Sequence, residues 1–213
     1  LRIADASSTT LRYGFSSPVT PEIIYDLNVE TGVKKEVQRF AVPGFNASSY
    51  VVEQSFIAAA DGKQVPVTLS YRKDKFERGK SPAVLIASDA FGDGNKPVYS
   101  VGLQGLLDRG FLAVHAHVRG GREMGDSWYQ EGKLRQKKNT FNDFIAVADY
   151  IGKNGLADPK RLFAMGRGGG GLIIGAVANM RPGLFKGVVT QVPNVDLLTN
   201  MLDDELPRTT FQY

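Results

Sequence analysis

The stretch FAMGRGGGGLIIG, residues 163–175, is an apolar run followed by a glycine cluster and then by an amphipathic run. This order is typical of a strand, a tight turn and a helix in series. Two classes of protein place glycines at such a turn. Dinucleotide-binding proteins use G-x-G-x-x-G, which Gly166, Gly168 and Gly171 satisfy. Serine hydrolases use G-x-S-x-G, which Gly166, Gly168 and Gly170 satisfy except at the central serine.

Buried strands and helices alternate along the chain from Ala83 onward. Strands are predicted for AVLIAS, FLAVHAHV, RLFAMG and GVVTQV, and helices for VGLQGLLDRG, TFNDFIAVADYIGKNG and GLIIGAVANM. This alternation predicts a parallel sheet with right-handed crossovers. Because the chemistry of such sheets lies at the carboxyl ends of the strands, the loops that start at Ser88, Arg119 and Gly166 are expected to converge.

Residues 1–42 contain four short β-like runs, LRIAD, LRYGFSS, EIIYDLN and KKEVQRF, separated by turn residues. We expect one antiparallel sheet, the size of a single propeller blade, that belongs to a larger structure.

Two alternating strands follow, joined in a hairpin at Asp61-Gly62. In the helix that follows residue 139, Thr140 and Asp143 have capping-box spacing, and Gly155 is the expected C-terminal stop.

Composition narrows the possible partners. The net charge is +4, and no Lys/Arg block is interleaved with aromatic residues, so we expect no nucleic-acid partner. No apolar stretch approaches the ~20 residues of a membrane span, and we expect no membrane association. The absence of cysteine excludes disulfides, thiolate metal sites and a cysteine nucleophile, and it fits a cytoplasmic protein.

The dinucleotide hypothesis stays open as an alternative, although the position of the glycines argues against it. The dinucleotide fingerprint follows the first strand of its unit, whereas at least two parallel strands precede Gly166 here. The nearest acidic partner, Asp196, lies 25 residues after Gly171 and beyond a Pro193-Asn194 break.

Several long segments carry a resemblance to a known family. They are HVRGGREMGDSWYQEGKLRQKKNTFNDF, MGRGGGG, MRPGLFKGVVTQVPNVDLLTNMLDDELPRTT and the hairpin with YRKDKF. Together they resemble the oligopeptidase B branch of the prolyl oligopeptidase family of serine peptidases. The resemblance implies that residues 49–213 are the first part of an α/β-hydrolase domain, without its C-terminal Asp/His portion, and that residues 1–48 end a seven-bladed β-propeller. It also implies cleavage of short peptides after Arg or Lys by a Ser-Asp-His triad, with no metal or cofactor.

The catalytic positions that the resemblance locates depart from the family's pattern. Gly168 stands at the nucleophile position, and glycine has no side chain that could attack a carbonyl. Gly169 would supply the remaining backbone N–H of the oxyanion hole. Ser88 stands where the family has a tyrosine whose hydroxyl completes that hole.

The positions that the resemblance assigns to substrate binding also depart. Gln212 stands where the family has a glutamate that pairs with a basic P1 side chain, so the charge is lost. Lys96 and Val98 fall near the positions at which the family has an acidic pair that favours a basic P2 residue, and neither of them is acidic. Arg119, in the sequence Arg-Gly-Gly, is either part of a substrate loop or part of a tight turn packed under the propeller.

The other members of a triad are not expected among these residues. In this fold the Asp and His follow the nucleophile along the chain, whereas His115 and His117 precede Gly168. His117 matches the family's H-V-R-G-G segment, for which we expect a structural role. Trp128, Phe141 and Phe144 are expected in the core.

These departures lead to two functional hypotheses beside the dinucleotide one. The first is an inert peptidase homologue that binds short basic peptides or an unknown protein partner, and that packs with complementary segments of the same protein. The second is an active serine oligopeptidase, altered at the nucleophile by engineering or present as a defective copy or a fragment. Engineering would change Gly168 alone, whereas Ser88 and Gln212 also depart, which favours natural divergence.

Overall fold

The computed structural model describes residues 7–87, 91, 92, 94, 96–203 and 205. The strands are β1 (Thr10–Ser17), β2 (Thr20–Asn28), β3 (Lys34–Arg39), β4 (Tyr50–Ala58), β5 (Gln64–Arg72), β6 (Ala83–Ala87), β7 (Leu112–Ala116), β8 (Leu162–Arg167) and β9 (Gly187–Gln191). The α-helices are α1 (Val101–Leu107), α2 (Asp126–Gln130), α3 (Lys137–Lys153), α4 (Gly169–Met180) and α5 (Leu197–Leu202). Among the described residues, no helix combines the length and the apolar character that crossing a membrane requires.

A small antiparallel sheet comes first, with the strand order β1-β2-β3. Ile23 of the central strand is buried, whereas every residue of β3 is exposed, because one layer of strands cannot cover both of its own faces. Three of the four predicted β-like runs are therefore strands. The first run, residues 1–5, lies outside the described residues, so the blade of four strands and its place in a propeller stay predictions.

The large sheet has the order β4-β5-β7-β6-β8-β9. The four strands from β7 to β9 in that order run parallel, as the alternation of strands and helices predicts. Strands β4 and β5 pair with antiparallel register and form the predicted hairpin. In its turn the Gly62 N–H donates to the Ala59 carbonyl at 2.9 Å, and Gly62 has a φ of +83°, which glycine adopts without a steric penalty.

Helices cover both faces of the middle of the large sheet, so β6 and β7 are almost entirely buried, whereas much of β4 and of β9 is exposed. One face packs against α3 and α4 through fully buried side chains that include Phe144, Ile151, Ile173 and Ile174. The other face packs against Leu103 and Leu107 of α1. Each such aliphatic or aromatic side chain contributes about 1.5–3 kcal/mol when it is fully buried. Trp128 and Phe144 are in the core as predicted, with Phe141 packed against it.

The prediction for the C-terminal end of α3 is correct, and the prediction for its N-terminal end is not. The C-terminal stop is confirmed: Gly155 has a φ of +62°, and the Leu156 and Gly155 N–H groups donate to the Ile151 and Gly152 carbonyls, which is a Schellman motif. The predicted capping box is wrong. The helix begins at Lys137, which places Thr140 and Asp143 inside it, both fully buried.

Candidate functional site

The turn from β8 into α4 has the sharp strand-to-helix geometry of a nucleophile elbow. Gly168 has a φ of 55° and a ψ of −120°, and Gly169 is the first, buried residue of α4. The Gly168 N–H donates to the Gln191 carbonyl at 3.0 Å, and its carbonyl accepts from the Asn194 N–H at 3.2 Å. The end of β9 and the segment after it therefore hold the turn in place.

The neighbouring glycines are required by close packing of protein against protein. A Cβ at Gly166 would overlap the Gly170 carbonyl, and a Cβ at Gly171 would lie 2.7 Å from the Pro193 Cβ. The acidic residue of the dinucleotide hypothesis has another role, because the Asp196 side chain caps α5 by accepting from the Thr199 N–H at 3.1 Å. These contacts account for the glycine spacing without a bound phosphate, and they disfavour the dinucleotide hypothesis.

The carboxyl ends of the parallel strands lie side by side. Gly166 of β8 pairs with Ala87 of β6 on one side and with Thr190 of β9 on the other. The loop after β6 reaches the loop after β7, since the Gly92 N–H donates to the Gly120 carbonyl at 2.8 Å. The chain thus enters the Ser88 segment directly beside the strand that carries the elbow.

Four of the predicted site residues, namely Ser88, Lys96, Val98 and Gln212, receive no role from the structure. Ser88 and Gln212 lie outside the described residues, so their assignments to the oxyanion hole and to P1 binding stay predictions. Lys96 and Val98 are exposed in the segment that leads into α1, and Val98 has 51% of its surface accessible. Neither can supply the negative charge that would favour a basic P2 residue.

Arg119 is buried among carboxylates rather than directed towards solvent. Its side chain is 3% exposed, and its Nη2 and Nε donate to Asp143 at 2.5 and 2.9 Å. Its Nη1 donates to Asp61 at 2.6 Å and lies 3.7 Å from Glu131. The hydrogen bonds that the guanidinium donates to Asp143 hold the pKa of Arg119 above its ordinary value. The guanidinium is engaged on each side, which favours the tight turn over the substrate loop.

The same turn is tied to α3 by Thr140 and Asp143, the two residues that have capping-box spacing. The Arg119 backbone N–H donates to Asp143 at 2.9 Å, and the Thr140 hydroxyl donates to the Arg119 carbonyl at 2.7 Å. Burial raises the pKa of Asp143, and the hydrogen bonds from Arg119 oppose that shift. The i, i+3 spacing that suggested a cap also places both side chains on one helix face.

Both histidines are buried in or next to β7. The His117 Nε2 lies 2.8 Å from the Thr68 hydroxyl, and its Nδ1 lies 3.3 Å from a Glu123 carboxylate oxygen. The Trp128 indole N–H also donates to the His117 carbonyl at 3.1 Å, and these contacts support the structural role expected for His117. Burial lowers the pKa of His115 to about 4, and the neighbouring His117 adds to that shift.

Sequence comparisons assign the family. The model of the prolyl oligopeptidase family matches residues 97–213. The chain is 47% identical to dipeptidyl aminopeptidase BI of Pseudoxanthomonas mexicana over 95% of this chain and 28% of that protein. It is 37% identical to protease 2 of Moraxella lacunata over 98% of this chain and 30% of that protein.

Solved structures give the same result. Oligopeptidase B from Leishmania major superimposes with a TM-score of 0.89 at 37% identity, over 95% of this chain and 28% of that one. Oligopeptidase B from Trypanosoma brucei with covalently bound antipain gives a TM-score of 0.86 at 40% identity, over 92% and 28%. The chain thus spans less than a third of the length of these relatives. Its large sheet is an α/β-hydrolase sheet, and the chain belongs to the prolyl oligopeptidase family of serine peptidases.

Proposed function

We propose that this protein is an oligopeptidase B-like member of its family that does not hydrolyse peptides at the β8–α4 elbow, and that it binds short basic peptides or a protein partner. The single observation that carries the proposal is Gly168. It occupies the elbow position with the elbow backbone conformation, a φ of 55° and a ψ of −120°, and it offers no hydroxyl to attack a carbonyl.

Two further departures support the loss of activity. Ser88 replaces the tyrosine that completes the oxyanion hole in the family, and loss of one such donor typically costs about 10²–10³ in rate. Gln212 replaces the glutamate that pairs with a P1 arginine or lysine, and hydrogen bonds to charged groups contribute about 1.5–3 kcal/mol. A cytoplasmic location, which the absence of cysteine favours, is part of the same proposal.

One observation favours the alternative, an oligopeptidase altered only at its nucleophile. The elbow keeps its turn, its hydrogen bond to Gln191 and its close contact with Pro193, so the scaffold that would present a serine is intact. If the nucleophile is the only loss, restoring a serine should restore the reaction.

The test compares the protein that carries this sequence with its Gly168→Ser variant, using a fluorophosphonate probe and an Arg-peptide substrate. We expect no labelling of the unaltered protein under conditions that label an active relative. We expect weak labelling and slow turnover for Gly168→Ser, with a gain when Ser88→Tyr and Gln212→Glu are added. Gly168→Ala, which adds a Cβ but no hydroxyl, is the matched control and should remain unlabelled.

Two outcomes would contradict the proposal. Stoichiometric labelling of the unaltered protein near Gly168 would show that another nucleophile acts at the elbow. Gly168→Ser alone reaching the rate of an active relative would establish the alternative, in which a single residue separates this protein from an enzyme.

A further inference from the structure

Val192 has a backbone conformation that its residue type rarely adopts. Its φ is +41°, in the left-handed region. A β-branched residue there is a genuine outlier, because its Cβ crowds the backbone, and such a conformation persists only where the surrounding structure imposes it. Val192 directly follows β9, and β9 pairs with β8, the strand that leads into the elbow. The strained residue therefore lies beside Gly168.

The ladder between β8 and β9 explains why the chain turns at this point. Its last pair is Arg167 with Gln191, so the next pair would be Gly168 with Val192. In a regular parallel ladder the Gly168 carbonyl would then accept from the N–H of residue 193. That residue is proline, which has no N–H. The Asn194 N–H takes its place at 3.2 Å, whereas the Gln191 carbonyl keeps its regular bond from the Gly168 N–H at 3.0 Å.

The turn at Val192 is what brings the substitute donor within reach. An extended chain advances about 3.3 Å per residue, so an extended residue 192 would carry the Asn194 N–H past the Gly168 carbonyl. A left-handed residue bends the chain and shortens this path. Pro193 is also held in place, because it packs so closely on the start of α4 that a Cβ at Gly171 would lie 2.7 Å from the Pro193 Cβ.

The bond from Asn194 also determines the direction of a second group. The Gly168 carbonyl and the Gly169 N–H belong to one planar peptide unit, in which they point in opposite directions. This peptide lies between two glycines, so no Cβ hinders its rotation. The Gly168 carbonyl is held by the Asn194 N–H and, at 3.3 Å, by the Leu172 N–H of α4. Holding the carbonyl therefore fixes the direction of the Gly169 N–H.

We propose that Val192 is a positioning residue of the elbow. Its left-handed turn brings the Asn194 N–H to the Gly168 carbonyl and so holds the Gly169 N–H in the orientation of an oxyanion donor, a role that rests on the proposed assignment of that N–H to the oxyanion hole. Val192 acts through the backbone of Asn194, so the conformation of residue 192 matters and its side chain does not.

Two variants of residue 192 separate the conformation from the side chain. Val192→Asn and Val192→Pro both remove the valine side chain, but asparagine tolerates the left-handed region, whereas proline is fixed at a φ of about −65°. Val192→Pro should lose the bond from Asn194, and Val192→Asn should keep it with less strain. Amide hydrogen exchange, followed by mass spectrometry on peptides that contain Gly168 or Asn194, measures these bonds in the protein that carries this sequence.

We expect exchange at Asn194 to become roughly tenfold faster in Val192→Pro and roughly fivefold slower in Val192→Asn, because relief of strain makes local opening less favourable. A peptide from β7 is the internal control and should change far less in Val192→Pro, since the lost bond is local. In the Gly168→Ser background, fluorophosphonate labelling should be at least tenfold faster with Val192→Asn than with Val192→Pro, because only the former keeps the oxyanion donor oriented.

The proposal is overturned if the two variants exchange alike at Asn194, or if the β7 peptide changes as much as the peptide with Asn194. If Val192→Pro does not fold, the comparison of Val192→Asn with the unaltered protein decides, and an absence of slowing would overturn the proposal. The exchange measurement uses the unaltered elbow, so it supports or overturns the role of Val192 whether or not Gly168→Ser reacts.

Discussion

At the scale of single residues, Gly168 determines both what the elbow can do and how much strain it stores. A φ of 55° with a ψ of −120° is accessible to glycine and is costly for a residue with a Cβ. Active members of such folds hold a serine in a strained turn. Here the same turn is relaxed, because Gly168 has no Cβ that could clash with the neighbouring backbone. The absence of that side chain is also the reason why Gly168 carries no hydroxyl.

We therefore predict that Gly168→Ser lowers the free energy of unfolding by about 1–3 kcal/mol, measured by urea denaturation. Gly102→Ser is the control. Gly102 lies in α1 with negative φ, and a Cβ there has no atom within 4 Å outside its own helix, so that variant should be neutral or slightly stabilising. Equal stability of Gly168→Ser and the unaltered protein would mean that the turn accommodates a Cβ without strain.

At the scale of elements, α3 acts as the support of the Arg119 turn. One face of the helix is apolar and packs on the sheet, and the same helix directs Thr140 and Asp143 towards the backbone and guanidinium of Arg119. The hairpin turn between β4 and β5 adds Asp61 from the other side. Three segments distant in sequence are thus joined by one buried cation.

Removing the carboxylate of Asp143 should therefore be far more costly than removing an exposed one. Asp143→Asn leaves the Arg119 charge buried without its main partner, and we expect a loss of about 3–5 kcal/mol in the free energy of unfolding. Asp149→Asn, on a solvent-accessible part of the same helix where the carboxylate pairs with Arg181 and Lys153, should cost about 1 kcal/mol or less. Similar losses for the two variants would contradict the proposed support role.

At the scale of the whole molecule, local signals in the sequence predict the order of elements well. The β4–β5 hairpin and the Schellman end of α3 are encoded by glycines and periodicity within a few residues. The partners of Arg119 could not be predicted in this way. Asp61 is 58 residues away, and only the fold brings it to the guanidinium. The spacing of Thr140 and Asp143 does not distinguish a capping box from one buried helix face, because residues three apart are neighbours in both arrangements.

His115 makes the stability of the whole molecule depend on pH in a definite window. Its pKa is lowered from 6.5 to about 4 by burial, and among the described residues its Nδ1 has no hydrogen-bond partner that could stabilise a proton. The unfolded chain takes up that proton below about pH 6.5, whereas the folded protein resists it until about pH 4. The stabilisation is therefore complete above pH 6.5 and is lost as the pH falls towards 4.

We predict that the free energy of unfolding falls by about 1.4 kcal/mol per pH unit within this window, and by about 3 kcal/mol across it. His115→Gln should flatten that slope even if it lowers stability at neutral pH, because the titrating group is gone. Urea denaturation at a series of pH values between 4.5 and 7 measures the slope. Burial raises the pKa of Asp149, but its pairing with Arg181 and Lys153 outweighs burial and lowers that pKa. Asp149 therefore titrates below the window, and Asp149→Asn should retain the slope. An unchanged slope in His115→Gln would show that another group controls the acid sensitivity of the fold.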